Sequence, residues 1–160
     1  MRLVKSLLLG TVAAFGISGI ASAADMADPA VGTWALDLAK SKYSSPDRAP
    51  KSQTRMYTQS ADGTSLTIQT TTADGSSATQ KSTFKYDGKS YPFTGSPMYD
   101  SLTLKQVDAH TVKSTQWKAG KETGETTRMI SADGKTMSVT TTGKDAKGMS
   151  YKDEGVYDKK

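Results

Sequence analysis

A two-residue alternation of apolar and polar positions runs through most of the chain beyond residue 30. Leu66 and Ile68 alternate with Thr67 and Gln69, and Phe84 and Tyr86 flank Lys85. Leu102 and Leu104 alternate with Thr103 and Lys105, and Met137 and Val139 with Ser138 and Thr140. Successive side chains of an extended backbone point to opposite faces, so each run has one apolar and one polar face. The runs are rich in Thr, Val, Ile, Tyr and Phe, which fit a pleated, half-buried surface. Between them stand turn signals, including Asp62-Gly63, Asp74-Gly75, Asp87-Gly88 and Asp133-Gly134. Asp tolerates positive φ and Gly adopts it freely, so these pairs predict type I′ hairpins. The pattern predicts ten strands near 31–38, 53–59, 65–72, 77–86, 89–94, 100–107, 111–118, 124–131, 136–142 and 149–157. No amphipathic helix is predicted among them. Residues 39–52 (AKSKYSSPDRAPKS) read as irregular, because Pro46 and Pro50 preclude a long helix.

A meander of hairpins with one apolar face must hide that face and its two edges. Closing the sheet on itself does both. The expected fold is therefore all-β, an antiparallel up-and-down meander closed into a barrel of about 8–10 strands; a sandwich with long crossovers is the alternative. One hairpin recipe recurs. SADGTSLTIQTTT (60–72) and SADGKTMSVTTT (131–142) follow Arg55-Met56 and Arg128-Met129, at an offset that places them on opposite walls of a closed barrel. Duplication of a half-barrel and convergence on one hairpin chemistry both account for the repeat.

The first residues have another character. Arg2 and Lys5 precede an apolar stretch from Leu7 to Ile20, and Ala21-Ser22-Ala23 is an A-x-A pattern. This predicts a secretory signal peptide over residues 1–23, cleaved after Ala23, and one barrel domain over 24–160. The apolar stretch is too short to span a bilayer comfortably, and no stable membrane insertion is expected. The chain has no Cys and no Asn, so neither disulfides nor N-glycosylation are expected, which suits a bacterial periplasmic or secreted location. The formal charge of +5 includes Arg2 and Lys5. The remaining lysines are scattered among acidic residues with no basic run, so nucleic acid is not an expected partner.

Catalytic signatures are missing. His110, the only histidine, sits in the turn DAHT, and no G-x-S-x-G elbow, phosphate loop or metal-ligand spacing occurs. A non-enzymatic protein without cofactor or metal is expected. The barrel interior is then the candidate site. Extending the alternation places Leu66, Ile68, Phe84, Tyr86, Tyr91, Phe93, Leu102, Leu104, Gln116, Met137, Val139, Tyr151 and Tyr157 inward. The mixture of aromatic, aliphatic and polar groups is that of a small-molecule cavity, while a filled core is the alternative. At residues 128–129 one register turns Met129 inward and the other turns Arg128 inward, where it would pair with an anionic ligand. The apolar side chain favours the first. Trp34 is expected to plug the closed end, with room for a cation–π contact to an arginine of a neighbouring strand.

The segment VGTWALDLAKSKY carries Gly32-Thr33-Trp34, a G-x-W at the start of the first strand, and resembles the opening motif of the calycins, the lipocalins and fatty-acid-binding proteins. TQWKAGKETGETTRMISADGKTMSV and KGMSYKDEGVYDKK resemble the closing strands of intracellular lipid-binding proteins. The chain is also similar to uncharacterised exported bacterial proteins with G-T-W-x-L-[ND]-x-x-K-S-K-[FY] and S-x-D-G-K-T-M segments, here Gly32 to Tyr43 and Ser131 to Met137. The resemblance implies a lipocalin-like barrel holding a lipid-like or other small ligand. It also sets two differences. Fatty-acid-binding proteins carry a helix-turn-helix between their first two strands, for which residues 39–52 leave no room. They also hold a carboxylate with an arginine two residues before the terminal Tyr, a place occupied here by Gly155 beside Tyr157; Arg128 aligns loosely with the family's other inward arginine. The expected function is an exported, non-catalytic binding protein for a small, partly apolar ligand. The alternative is a protein-interaction or inhibitor module of the cell envelope with a solid barrel, presenting residues 39–52 and 91–100.

Overall fold

The computed structural model describes residues 28–145 and 147–160. The expected signal peptide and cleavage site lie outside the described residues. Ten strands form one antiparallel sheet: β1 (Gly32–Lys42), β2 (Ser52–Ser60), β3 (Gly63–Thr71), β4 (Ser77–Phe84), β5 (Asp87–Pro92), β6 (Ser101–Gln106), β7 (Thr111–Lys118), β8 (Lys121–Ile130), β9 (Thr136–Lys144) and β10 (Ser150–Lys159). The order across the sheet is β4-β3-β2-β1-β10-β9-β8-β7-β6-β5. Neighbours in space are neighbours in sequence except where β1 meets β10, with Trp34 opposite Lys159 and Leu36 opposite Tyr157. The sandwich alternative is excluded, and the meander curls into a nearly closed barrel.

The seam of the barrel lies between β4 and β5, inside the chain. A single bridge closes it, Lys81 of β4 with Thr94 just beyond β5, each amide donating to the other's carbonyl at 3.1 and 2.9 Å. The Ser82 hydroxyl adds a bond to the Pro92 carbonyl at 2.8 Å. Asp87-Gly88 is thus not a hairpin turn. Asp87 already pairs with Lys105, and the chain turns its corner at Lys85-Tyr86.

The turn chemistry differs from expectation. A type I′ turn needs positive φ at both central residues, yet among the described residues Ala119 (φ 49°) is the one non-glycine with positive φ. Ala119-Gly120 joins β7 to β8, which therefore begins at Lys121 rather than near 124. Asp74 and Asp133 work through their side chains instead. Asp133 Oδ1 accepts from the Lys135 amide (3.0 Å) and the Ser131 hydroxyl (2.6 Å), and Asp74 Oδ1 from the Ser76 amide (2.9 Å). Such Asx contacts turn the chain without a left-handed aspartate.

Residues 39–42, expected to be irregular, extend β1 through a bulge between Asp37 and Lys42. Asp37 Oδ1 accepts the amides of Ala39 (3.0 Å) and Lys40 (3.3 Å). The Ser41 hydroxyl donates to the Asp37 carbonyl (2.6 Å) and accepts the Val156 amide (2.9 Å). Local side chains therefore satisfy the backbone groups that the bulge frees. Beyond it, one 3₁₀ turn, Pro46–Arg48, is the only helical element among the described residues. Inside the barrel the core gathers Trp34, Tyr57, Leu66, Ile68, Phe84, Phe93, Leu102, Leu104, Val112, Ile130, Met137, Val139 and Tyr157.

Candidate functional site

The closed end is built on Asp28. Its carboxylate accepts from the Ala30 amide (2.9 Å), the Thr64 hydroxyl (3.4 Å), the Tyr86 hydroxyl and Arg128 Nη2 (3.3 Å). Arg128 Nη1 also donates to the Tyr86 hydroxyl at 3.2 Å, and its guanidinium lies 5.2 Å from the Tyr57 ring centroid. Burial works against the charge of Arg128, but Tyr57, Tyr86 and Asp28 outweigh it and hold its pKa above the ordinary arginine value. Trp34 is fully buried and donates Nε1–H to the Ala30 carbonyl at 2.7 Å, which fixes the segment that crosses the floor. The cation beside Trp34 is Lys159 of β10, 5.1 Å from its ring, rather than an arginine.

These contacts correct the favoured register at residues 128–129. Arg128 is 7% exposed and Met129 52% exposed, so the arginine faces in and the methionine out. Asp28, far away in sequence, supplies the compensating charge that makes an inward arginine tolerable. Met56 is likewise outward and Arg55 inward, opposite Ile68. The repeated Arg-Met thus delivers one inward arginine from each of two hairpins.

Above this floor the interior is not filled. A lower chamber of about 70 Å³ is walled by Leu66, Ile68, Phe84, Phe93, Leu102, Leu104, Val112 and Val139, with Gln116 and Arg128 among its polar members. An upper vestibule of about 270 Å³ is bounded by Tyr151, Tyr157, Gln53, Thr70, the 47–50 connection and the 96–99 loop. Arg55, Tyr99, Gln116, Val139 and Thr141 line both and form a waist between them. At the mouth, Arg48 Nε donates to Asp153 Oδ2 at 2.6 Å and stacks 3.5 Å over the Tyr151 ring. The other carboxylate oxygen of Asp153 accepts from the Ser44 amide and hydroxyl, both at 2.8 Å. The 43–51 connection, where fatty-acid-binding proteins have helices, is tied down by this cluster.

Arg55 is the polar centre of the waist. Its Nε donates to Gln53 Oε1 at 3.2 Å, and its guanidinium lies 5.0 Å from the Tyr157 ring. Gln53 Oε1 also accepts from the Tyr157 hydroxyl, and Gln53 Nε2 donates to the Thr70 hydroxyl at 2.9 Å. Burial opposes the charge of Arg55, yet Tyr157 and Tyr57 leave its pKa above the ordinary value. Burial pushes the Tyr99 phenol up to about 12, with Arg55 pulling the other way.

Of the residues expected in the lumen, Leu66, Ile68, Phe84, Phe93, Leu102, Leu104, Gln116, Arg128 and Val139 stand on the chamber wall, and Tyr151 and Tyr157 on the vestibule wall. Three do not line either space. Tyr86 is taken up by Asp28, and Met137 is fully buried in the core. Tyr91 sits half-buried on the seam strand, where its hydroxyl donates to the Asp87 carboxylate at 3.0 Å. Arg55, Tyr57, Tyr99, Gln53 and Arg48 were not foreseen. His110 is exposed in its turn, its amide bonded to Asp108 Oδ1 at 2.8 Å. Among the described residues no cluster of His, Cys, Asp or Glu could hold a metal ion.

No family profile matches the chain, and no curated protein matches it in sequence. In three dimensions it is similar to a crystal structure of zebrafish ileal bile acid-binding protein complexed with cholic acid. The TM-score is 0.51 at 13% sequence identity, over 82% of this chain and 99% of that one. The shared feature is the fold, a ten-strand antiparallel meander rolled into a barrel.

Proposed function

We propose that this protein is an exported, non-catalytic binding barrel that carries a small, partly apolar molecule in its interior. The observation that carries this reading is the unfilled space itself, an apolar chamber opening through a polar waist into a larger vestibule. A pocket mostly apolar, with a few placed polar groups, suits a ligand that buries most of its surface. The similarity in fold to a protein solved with cholic acid supports a small-molecule cargo. The A-x-A pattern after an apolar stretch supports export, to a bacterial periplasm or medium.

Native mass spectrometry of protein purified from its own host tests the reading, together with displacement of the neutral fluorophore Nile red. A co-purifying small molecule, or Nile red binding that Val139→Trp at the waist abolishes, is the expected result. An empty protein that binds no probe contradicts it. N-terminal sequencing of the exported form should begin at Ala24.

A further inference from the structure

The outer side of the β5–β8 wall carries a groove of about 460 Å³, a volume in the range of small-molecule sites. Leu104, Val112 and Gln116 are buried against the lower chamber, so Lys105, Lys113, Thr115 and Trp117 between and beyond them point outward. Lys105 stands opposite Lys113, and Thr103 opposite Thr115. Like charges facing each other across a sheet are unfavourable. Neither ammonium forms an ion pair among the described residues. Asp87, opposite Lys105 on β5, is engaged elsewhere: its carboxylate accepts the Tyr91 hydroxyl and the Lys89 amide, each at 3.0 Å. The stem of Lys105 lies over Gly88, where an added Cβ would stand 2.9 Å from Lys105 Cε.

At the other end of the groove Trp117 is half-buried. Its Nε1–H donates to the Thr103 hydroxyl at 3.4 Å, which lays the indole across β6 and β7. Lys113 and Trp117 are four residues apart, about 13 Å along an extended strand. Between these ends lie the Thr103 and Thr115 hydroxyls and, opposite Thr115, the carboxylate of Glu125. The groove thus offers a pair of unneutralised cations, then hydroxyl and carboxylate partners for a hydroxylated ligand, then an apolar plate with a polar edge. We propose that it is a second binding site, outside the barrel, for an acidic saccharide whose carboxylate sits between Lys105 and Lys113 and whose neighbouring ring lies against Trp117. Glu125 in the middle disfavours a chain charged at every unit, such as a nucleic acid. The site is independent of the lumen and goes beyond the binding-barrel reading above.

Amide and indole NMR of the nitrogen-labelled protein tests this, with a glucuronyl-glucose disaccharide as the probe. It should shift the Trp117 indole N–H and the Thr103 and Thr115 amides saturably, while the indole of Trp34, fully buried at the floor, stays unmoved. The methyl ester of the same disaccharide should bind at least about tenfold more weakly, since it brings no charge to the lysine pair. Lys105→Gln/Lys113→Gln should bring acid and ester to equal affinity. Trp117→Leu should weaken both at least about fivefold, read from the Thr115 amide. Both variants should keep the wild-type circular-dichroism spectrum, which reports an intact barrel. No shift in the groove, equal binding of acid and ester, or an acid preference that survives the double lysine variant overturns the inference. So does tighter binding of tripolyphosphate or of oligothymidylate than of the disaccharide, which would make the lysines a general anion or nucleic-acid surface. None of these outcomes touches the lumen, whose probe is Nile red.

Discussion

Replacing Asp28 by Ala removes the acceptor that four donors share and strands Arg128 in the barrel floor. The side chains of the pair are 8% and 5% exposed and 3.3 Å apart. At an effective dielectric of about 20 their gross attraction is about 5 kcal/mol. Both charges also lose hydration, so the pair's net worth is smaller than that attraction. Removing one partner is different, because the other charge stays buried without compensation, at a cost of about 3–5 kcal/mol. For a domain of this size that corresponds to a fall in Tm of roughly 10–20 °C. The double variant Asp28→Ala/Arg128→Met deletes both charges and should lie within about 1–2 kcal/mol of wild type. Urea unfolding followed by circular dichroism gives all the free energies needed for the cycle. The reasoning is refuted if Asp28→Ala costs less than about 1 kcal/mol, or if the double variant is no more stable than Asp28→Ala alone.

Three further outcomes follow from the turns and the seam. Ala119→Gly should stabilise the protein by about 0.5–1 kcal/mol, since Ala119 stands at φ 49° where only glycine is unstrained; urea midpoints measure it. Gly95→Ala places a Cβ 2.1 Å from the Thr79 carbonyl at φ +80°, so amide exchange should speed up at Lys81 and Thr94 while β1–β10 amides remain protected. Hydrogen bonds from Thr72, Lys89, His110 and Ser131, respectively, lead in holding the carboxyls of Asp74, Asp87, Asp108 and Asp133 below the usual value of 3.8. Folded values below unfolded ones mean stability that is present above about pH 4 and lost as pH falls through the depressed values. The urea midpoint should therefore be flat from pH 7 to 5 and drop below 4, less steeply in Asp133→Ala.

The ten strands were legible because alternation and punctuation are local. Leu66-Ile68 or Leu102-Leu104 declares its face whatever surrounds it. What stayed hidden depends on partners far along the chain. Nothing near Arg128 announces Asp28, so the apolar neighbour Met129 was the better local choice, and the wrong one. Register held the missing signal. Once Leu66 and Ile68 face inward, their partners Tyr57 and Arg55 must do so too, and an inward Val139 fixes Arg128 in the same way. The Asp-Gly pairs marked chain reversals correctly at three places, and at Asp74 and Asp133 the mechanism is the aspartate side chain rather than its backbone angle. At Asp87-Gly88 the sequence signal points to a hairpin, but barrel closure had other use for the flanking strands, which became the two edges of the seam. The bulge after Asp37 was invisible because its stabilisation comes from Asp37 and Ser41 side chains bonding backbone, a pattern that resembles loop composition.

Binding inside the barrel is most directly tested by NMR titration of the isotope-labelled protein with Nile red. Saturable shifts of the Leu102, Leu104 and Val139 methyls are expected, with the outward Met56 and Met129 methyls unmoved. Saturable shifts confined to outward residues, with the interior methyls silent, would contradict it.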